Sequence, residues 1–137
     1  MKRDWELLRK QMIAIEEGKD LFSDLPELPD HTTQLWDDYL VQLNEFNAIE
    51  DRIYGHYLLL IEANYVKGLD IQRNGIGEYI RNDTGARLTM EGHDFLNTMR
   101  SPKIWESVKS MAVSKSLELT FDTVKSLATV AVNQIIA

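Results

Sequence analysis

The side chains able to do acid–base or metal chemistry are His31, His56 and His93, the adjacent carboxylates Glu16-Glu17 and Asp37-Asp38, and the run "EGHD" at 91–94. Two ligands reach one metal ion from a helix when they stand four residues apart, as in H-E-x-x-H. No histidine here has a second histidine at that spacing, and the three fall on three different predicted elements. Within "EGHD", adjacent helix positions point about 100° apart, so His93 reads as a capping or surface histidine. The paired carboxylates sit on helix surfaces, where solvated charge is their ordinary role. Gly75-x-Gly77 lacks the third glycine and the strand-to-helix setting of a dinucleotide loop and reads as a hairpin turn. There is no cysteine, and no serine or lysine stands in a recognisable nucleophile arrangement. The expectation is a protein with no catalytic residues, no metal and no cofactor, which acts by binding.

Apolar periodicity defines the elements that position these groups. Trp5, Leu8, Met12 and Ile15 recur at helical spacing behind Asp4, a good cap, and before Gly18, a good stop, so a helix is expected over 4–17. "DLFSDLPELPD" (20–30) reads as a loop. Leu35, Trp36, Tyr39, Leu40, Leu43 and Phe46 mark a second helix over about 33–46, and Ile53, Tyr57, Leu60 and Ile61 a third over about 50–64, with Asn64 at a left-handed cap. Residues 65–89 hold strand formers between the turn signals Asn74-Gly75 and Thr84-Gly85, and form a small β-ribbon. Thr89 caps a helix to about Arg100, on which Glu91 favours the first turn and Gly92 permits close packing. Ser101-Pro102 restarts a helix, and Thr120 caps the last.

The 137 residues are one domain by length, long enough to bury a core. The start, "MKRDWELLRK", has no apolar region behind it and is no signal peptide. No apolar run approaches the ~20 residues of a membrane span. With no cysteine, the chain fits a reducing cytoplasm. The net charge of −7 is uneven. Residues 16–51 carry eleven acids against one base, Lys19, a net of −10, and the remainder is +3. Such a balance argues against broad nucleic-acid binding.

The order helix, helix, helix, ribbon, helix gives a mainly α chain with a small β-ribbon. It has the layout of a winged helix-turn-helix over 1–100, with two C-terminal helices over 101–137 as an extension. "MKRDWELLRKQMIAIEE", "YGHYLLLIEANYVKG" and "RLTMEGHDFLNTMRSPKIWESVKSMA" resemble a family of uncharacterised phage and prophage winged-helix proteins. The resemblance is weakest over about 20–48. It implies a fold and a genomic setting, and no activity. In similar regulators the middle motif is the end of the recognition helix and the strand after it, which maps to about Arg52–Lys67.

DNA, in a regulatory role, is the first partner this layout implies. Outward positions of the recognition helix would be Arg52, Tyr54 and His56. The ribbon would offer Lys67, Arg73, Arg81 and Arg87, with Asn74 as a polar partner. The alternative partner is a host protein, engaged by the acidic segment through Asp24, Glu27, Asp30, Asp37 and Asp38. The two readings part on where residues 16–51 fold. If they flank the recognition helix, DNA is repelled and a protein partner is favoured. The uncharged tail after Lys125 implies a homodimer through about 102–137.

Overall fold

The structure, a computed structural model, describes residues 1–136. Helix α1 (Trp5–Glu17) begins where the Asp4 carboxylate accepts the N–H of Leu7 at 3.1 Å, and ends at Gly18 with φ +67°. Its inward face, Leu8, Gln11, Met12 and Ile15, is the one its spacing indicates. The loop that follows returns to the core at Phe22, which is buried, and the Tyr57 hydroxyl pins it by donating to the Leu21 carbonyl at 2.6 Å.

The second and third expected helices are one. Helix α2 runs unbroken from Trp36–Glu62, about 40 Å at 1.5 Å per residue. Asn47-Ala48-Ile49, where a break was expected, contains neither glycine nor proline, so nothing removes a ladder hydrogen bond or admits a tight turn. Two helices therefore precede the ribbon rather than three. Only the second half of α2 enters the core, through Ile53, Tyr54, His56, Tyr57 and Leu60. The first half extends away as an arm. The helix closes as expected, with Asn64 left-handed at φ +65°.

The ribbon has two antiparallel ladders. Strands β1 (Val66–Lys67) and β4 (Arg87–Leu88) pair at its base. Strands β2 (Asp70–Arg73) and β3 (Tyr79–Asn82) pair beyond them, with Arg73 opposite Tyr79 and Ile71 opposite Arg81. Gly68, at φ +77°, lets the two ladders meet, since a Cβ there would lie 1.8 Å from the Gly85 carbonyl oxygen.

Helix α3 (Met90–Arg100) starts on the Thr89 hydroxyl, which accepts the N–H of Gly92 at 3.0 Å and donates to the Asn64 carbonyl at 2.8 Å. Ser101 and Pro102 open α4 (Pro102–Ser114), and the Thr120 hydroxyl accepts the N–H of Thr123 at the start of α5 (Phe121–Ile136). One core joins all of these, from Leu8 on α1 to Ala128 on α5. At its end Trp5 meets Trp105 and Phe121, at ring-centre distances of 6.1 and 5.2 Å. The apolar face of α5, Val124, Leu127, Ala128 and Ala131, is buried within the chain. Val130, Ile135 and Ile136 of the same helix stay exposed, and α4 and α5 share one core with the elements before them.

Candidate binding surface

The residues expected to face a nucleic acid separate into three groups. His56 and Tyr54 are buried, so their expected outward placement is corrected. The helical phase that brings Ile53, Tyr57 and Leu60 inward brings these two with them. The Nε2 of His56 accepts the N–H of Asp4 at 2.8 Å, and its Nδ1 lies 2.7 Å from the Arg52 carbonyl. The imidazole is therefore neutral with its proton on Nδ1, and it ties the start of α1 to the middle of α2. Burial holds its pKa below the usual histidine value, and the Arg52 charge adds to this.

Arg52, Arg73, Arg81 and Asn74 hold the chain together. The Arg52 guanidinium pairs with Asp4. Arg73 donates to Asp51 at 2.5 Å and to the Tyr79 hydroxyl at 2.7 Å, and lies over the Tyr79 ring at 4.3 Å. Arg81 lies 4.1 Å over the Phe22 ring and donates to the Tyr54 hydroxyl. Tyr54 stacks on Tyr79 at 4.2 Å and packs on Phe22 at 5.0 Å. Phe22, Tyr54, Tyr79 and the two arginines thus form a ladder that fastens the β2–β3 hairpin to α2. The Asn74 side chain accepts the N–H groups of Ile76 and Glu78, which sets the hairpin turn. Lys67 and Arg87 are the remaining two. They are cross-strand partners at the ribbon base, exposed, and outside the ion pairs of the described residues.

His93 is half exposed beside Glu16, which also takes Arg100. It joins α3 to α1 at the surface. Among the described residues no three metal-ligating side chains come together.

The five acids of the alternative surface are all exposed. Asp24 pairs with Lys10 at 2.6 Å. Thr32 hydrogen bonds, from hydroxyl and backbone, hold the Asp30 carboxyl below its ordinary range. Asp37 and Asp38 occupy the first turn of α2, where the helix dipole favours them. Glu27 lies in the loop.

The arm, the loop before it and the hairpin tip also carry exposed apolar side chains. Leu35, Trp36 and Val41 on or beside the arm are 75%, 62% and 58% exposed, and Leu28 and Ile76 are 69% and 79% exposed. Half-buried Leu43 and Phe46 line the inner side of the arm. Between the arm and the β2–β3 hairpin is a cleft of about 580 Å³, walled by Leu28, Leu43, Phe46 and Ile76 and edged by Glu50, Asp51, Glu78 and Arg73. Burial raises the Glu50 pKa, and the neighbouring Asp51 charge raises it further. Arg73, already committed to Asp51, is the one cation of that lining. Leu28, Leu43, Phe46 and Ile76 share the cleft, whereas Leu35, Trp36 and Val41 lie outside its lining. The helical period of 33–46 was readable. That its apolar stripe would stay uncovered was not, because the expected break would have folded it back on the core.

The fold is a mainly helical domain with a β-ribbon and an acid-edged cleft. The chain belongs to the family described as "Hypothetical protein (DUF2513)", which matches residues 2–118. It is 28% identical to an "Uncharacterized protein" of Haemophilus influenzae over 137 residues, the whole of both chains. No solved structure matches the chain. Among the described residues no helix is long and apolar enough to cross a membrane.

One consequence of the His56 arrangement is measurable. A folded-state histidine pKa below the unfolded value means that the unfolded chain binds more protons, so stability falls as pH drops through 6.5 and below. Protonation would also remove the acceptor that Asp4 uses. Urea midpoints are expected to fall between pH 7.5 and 5.5, and His56→Gln to flatten that dependence. An equal slope in the variant would place the titration elsewhere.

Proposed function

We propose that the protein works by binding another protein in the cleft between the α2 arm and the β2–β3 hairpin. The partner would present a basic, amphipathic segment. The observation that carries this reading is the uncovered apolar wall of Leu28, Leu43, Phe46 and Ile76 inside an acidic rim. The apolar wall would supply affinity and the rim would select the sign of the partner's charge. Continuity of α2 supports it further. The acidic segment and the expected recognition helix are one rod, so Glu50 and Asp51 sit on the same helix directly beside Arg52. The core of α1, α2, ribbon and α3 is read as a variant of the phage-type winged helix that lacks the turn between a second and a third helix, used here for protein contact in a cytoplasmic setting and without catalysis.

A second reading, DNA binding, is favoured by Lys67 and Arg87 facing each other across the ribbon base free of acids. Each phosphate contact needs such a cation, and two support only weak binding. Titration of the protein with a Leu/Lys amphipathic helical peptide and, separately, with mixed duplex DNA tests the choice. The peptide is expected to bind and to weaken as salt rises, and the duplex to show no association at low salt. Duplex binding that falls when Lys67→Ala and Arg87→Ala are combined, with no peptide binding, would reverse the assignment.

A further inference from the structure

We infer that a second site, remote in character from the acidic cleft, binds a small phosphorylated molecule. It is the open hollow of about 510 Å³ where the N-terminal segment, α2 and α4 converge, lined by Lys2, Arg3, Arg52 and Lys109. On a chain of net charge −7, four cations from three separate segments meet here around one space.

Two acids, Asp4 and Glu6, also line it, and both are engaged in structure. Asp4 caps α1 and takes Arg52. Glu6 accepts the indole N–H of Trp105 at 3.3 Å and lies 3.8 Å from Arg9. Lys2 and Arg3 have no acidic partner among the described residues. Arg3 is held in position instead, its guanidinium 5.9 Å over Trp5 and 5.8 Å over Phe121. Lys109 pairs with Glu106 at 2.8 Å and lies 5.7 Å over Trp105. Lys2 and Arg3 are thus the unpaired cations of the hollow, beside Arg52 and Lys109 that already hold acids, and Arg3 and Lys109 have aromatic backing.

Several cations around one space suit a multiply charged anion with several acceptor oxygens, which is phosphate chemistry rather than a single carboxylate. The ligand is small because of the rest of the chain. A long polyanion would also meet the −10 segment, whereas a small anion responds chiefly to charges within the screening length of roughly 8–10 Å.

Pyrophosphate is the probe. Trp5 and Trp105 border the hollow and Trp36 lies on the arm, so fluorescence of the full chain carrying Trp36→Phe reports on the hollow alone. Pyrophosphate is expected to give a saturable change that chloride at equal ionic strength does not. Lys2→Ala with Lys109→Ala should weaken it about tenfold or more at an unchanged melting temperature, and Lys103→Ala with Lys115→Ala should leave it intact. A change that does not saturate, that chloride reproduces, or that survives loss of Lys2 and Lys109 would overturn the site. So would duplex DNA binding that depends on those two lysines while pyrophosphate shows none.

Discussion

Gly92→Ala is expected to destabilise the protein by about 3 kcal/mol or more, although alanine is the better helix former by about 1 kcal/mol. A Cβ at Gly92 would lie 2.2 Å from the Tyr65 carbonyl oxygen and 3.0 Å from its carbon. The obstruction is backbone, which cannot swing aside as a side chain would. The same carbonyl accepts the N–H of Thr89 at 2.9 Å. Moving it would disturb the cap of α3, whose hydroxyl serves Gly92 itself. Urea unfolding at constant slope measures the loss. Gly75→Ala is the control, since a Cβ there meets nothing within 4 Å, and its effect should stay within about 0.5 kcal/mol. A Gly92→Ala protein as stable as the parent would mean that α3 does not approach the end of α2 this closely.

The second large effect is on partner binding. Leu28→Ser combined with Ile76→Ser removes two apolar anchors from opposite walls of the cleft. Each anchor contributes about 1.5 kcal/mol or more when buried by a partner. Peptide affinity should fall roughly a hundredfold. Both residues are mostly exposed in the free protein, so the melting curve should not move. Isothermal titration gives the affinity and differential scanning the stability. Unchanged affinity would remove the cleft from the account, and a lost melting transition would show that these residues serve the fold.

Much of the fold could be read from local chemistry. Asp4, Gly18, Thr89, Ser101-Pro102 and Thr120 mark helix ends because each supplies an acceptor, a left-handed residue or a missing N–H at a place where the backbone needs one. Asn74-Gly75 and Thr84-Gly85 mark turns for related reasons. The length of α2 could not be read this way. Its apolar stripe before Phe46 and that after Ile53 were legible, but whether the chain bends between them depends on a competition between helix continuation and burial of the arm. No residue at 47–49 announces the outcome.

The surface was less legible still. Periodicity places Tyr54 and His56 on α2 but does not say which neighbours they share. Arg73 and Arg81 look like free cations in one dimension. They are structural because Asp51, Tyr54, Tyr79 and Phe22 come from distant parts of the chain to meet them. The acidic segment is visible as composition, but that Glu50 and Asp51 are its members at the cleft edge is not. The apolar wall of the cleft is built from the loop, the arm and the hairpin tip, and no local pattern joins the three.

The central claim is that the arm and hairpin form the docking cleft. Chemical-shift mapping of the labelled protein against the basic amphipathic peptide tests it most directly. The account predicts perturbations centred on Leu28, Leu43, Phe46, Ile76 and Glu78, fading as salt rises, with Lys67 and Arg87 unmoved. Perturbations centred on Lys67 and Arg87, or no perturbation of the arm at saturating peptide, would contradict it.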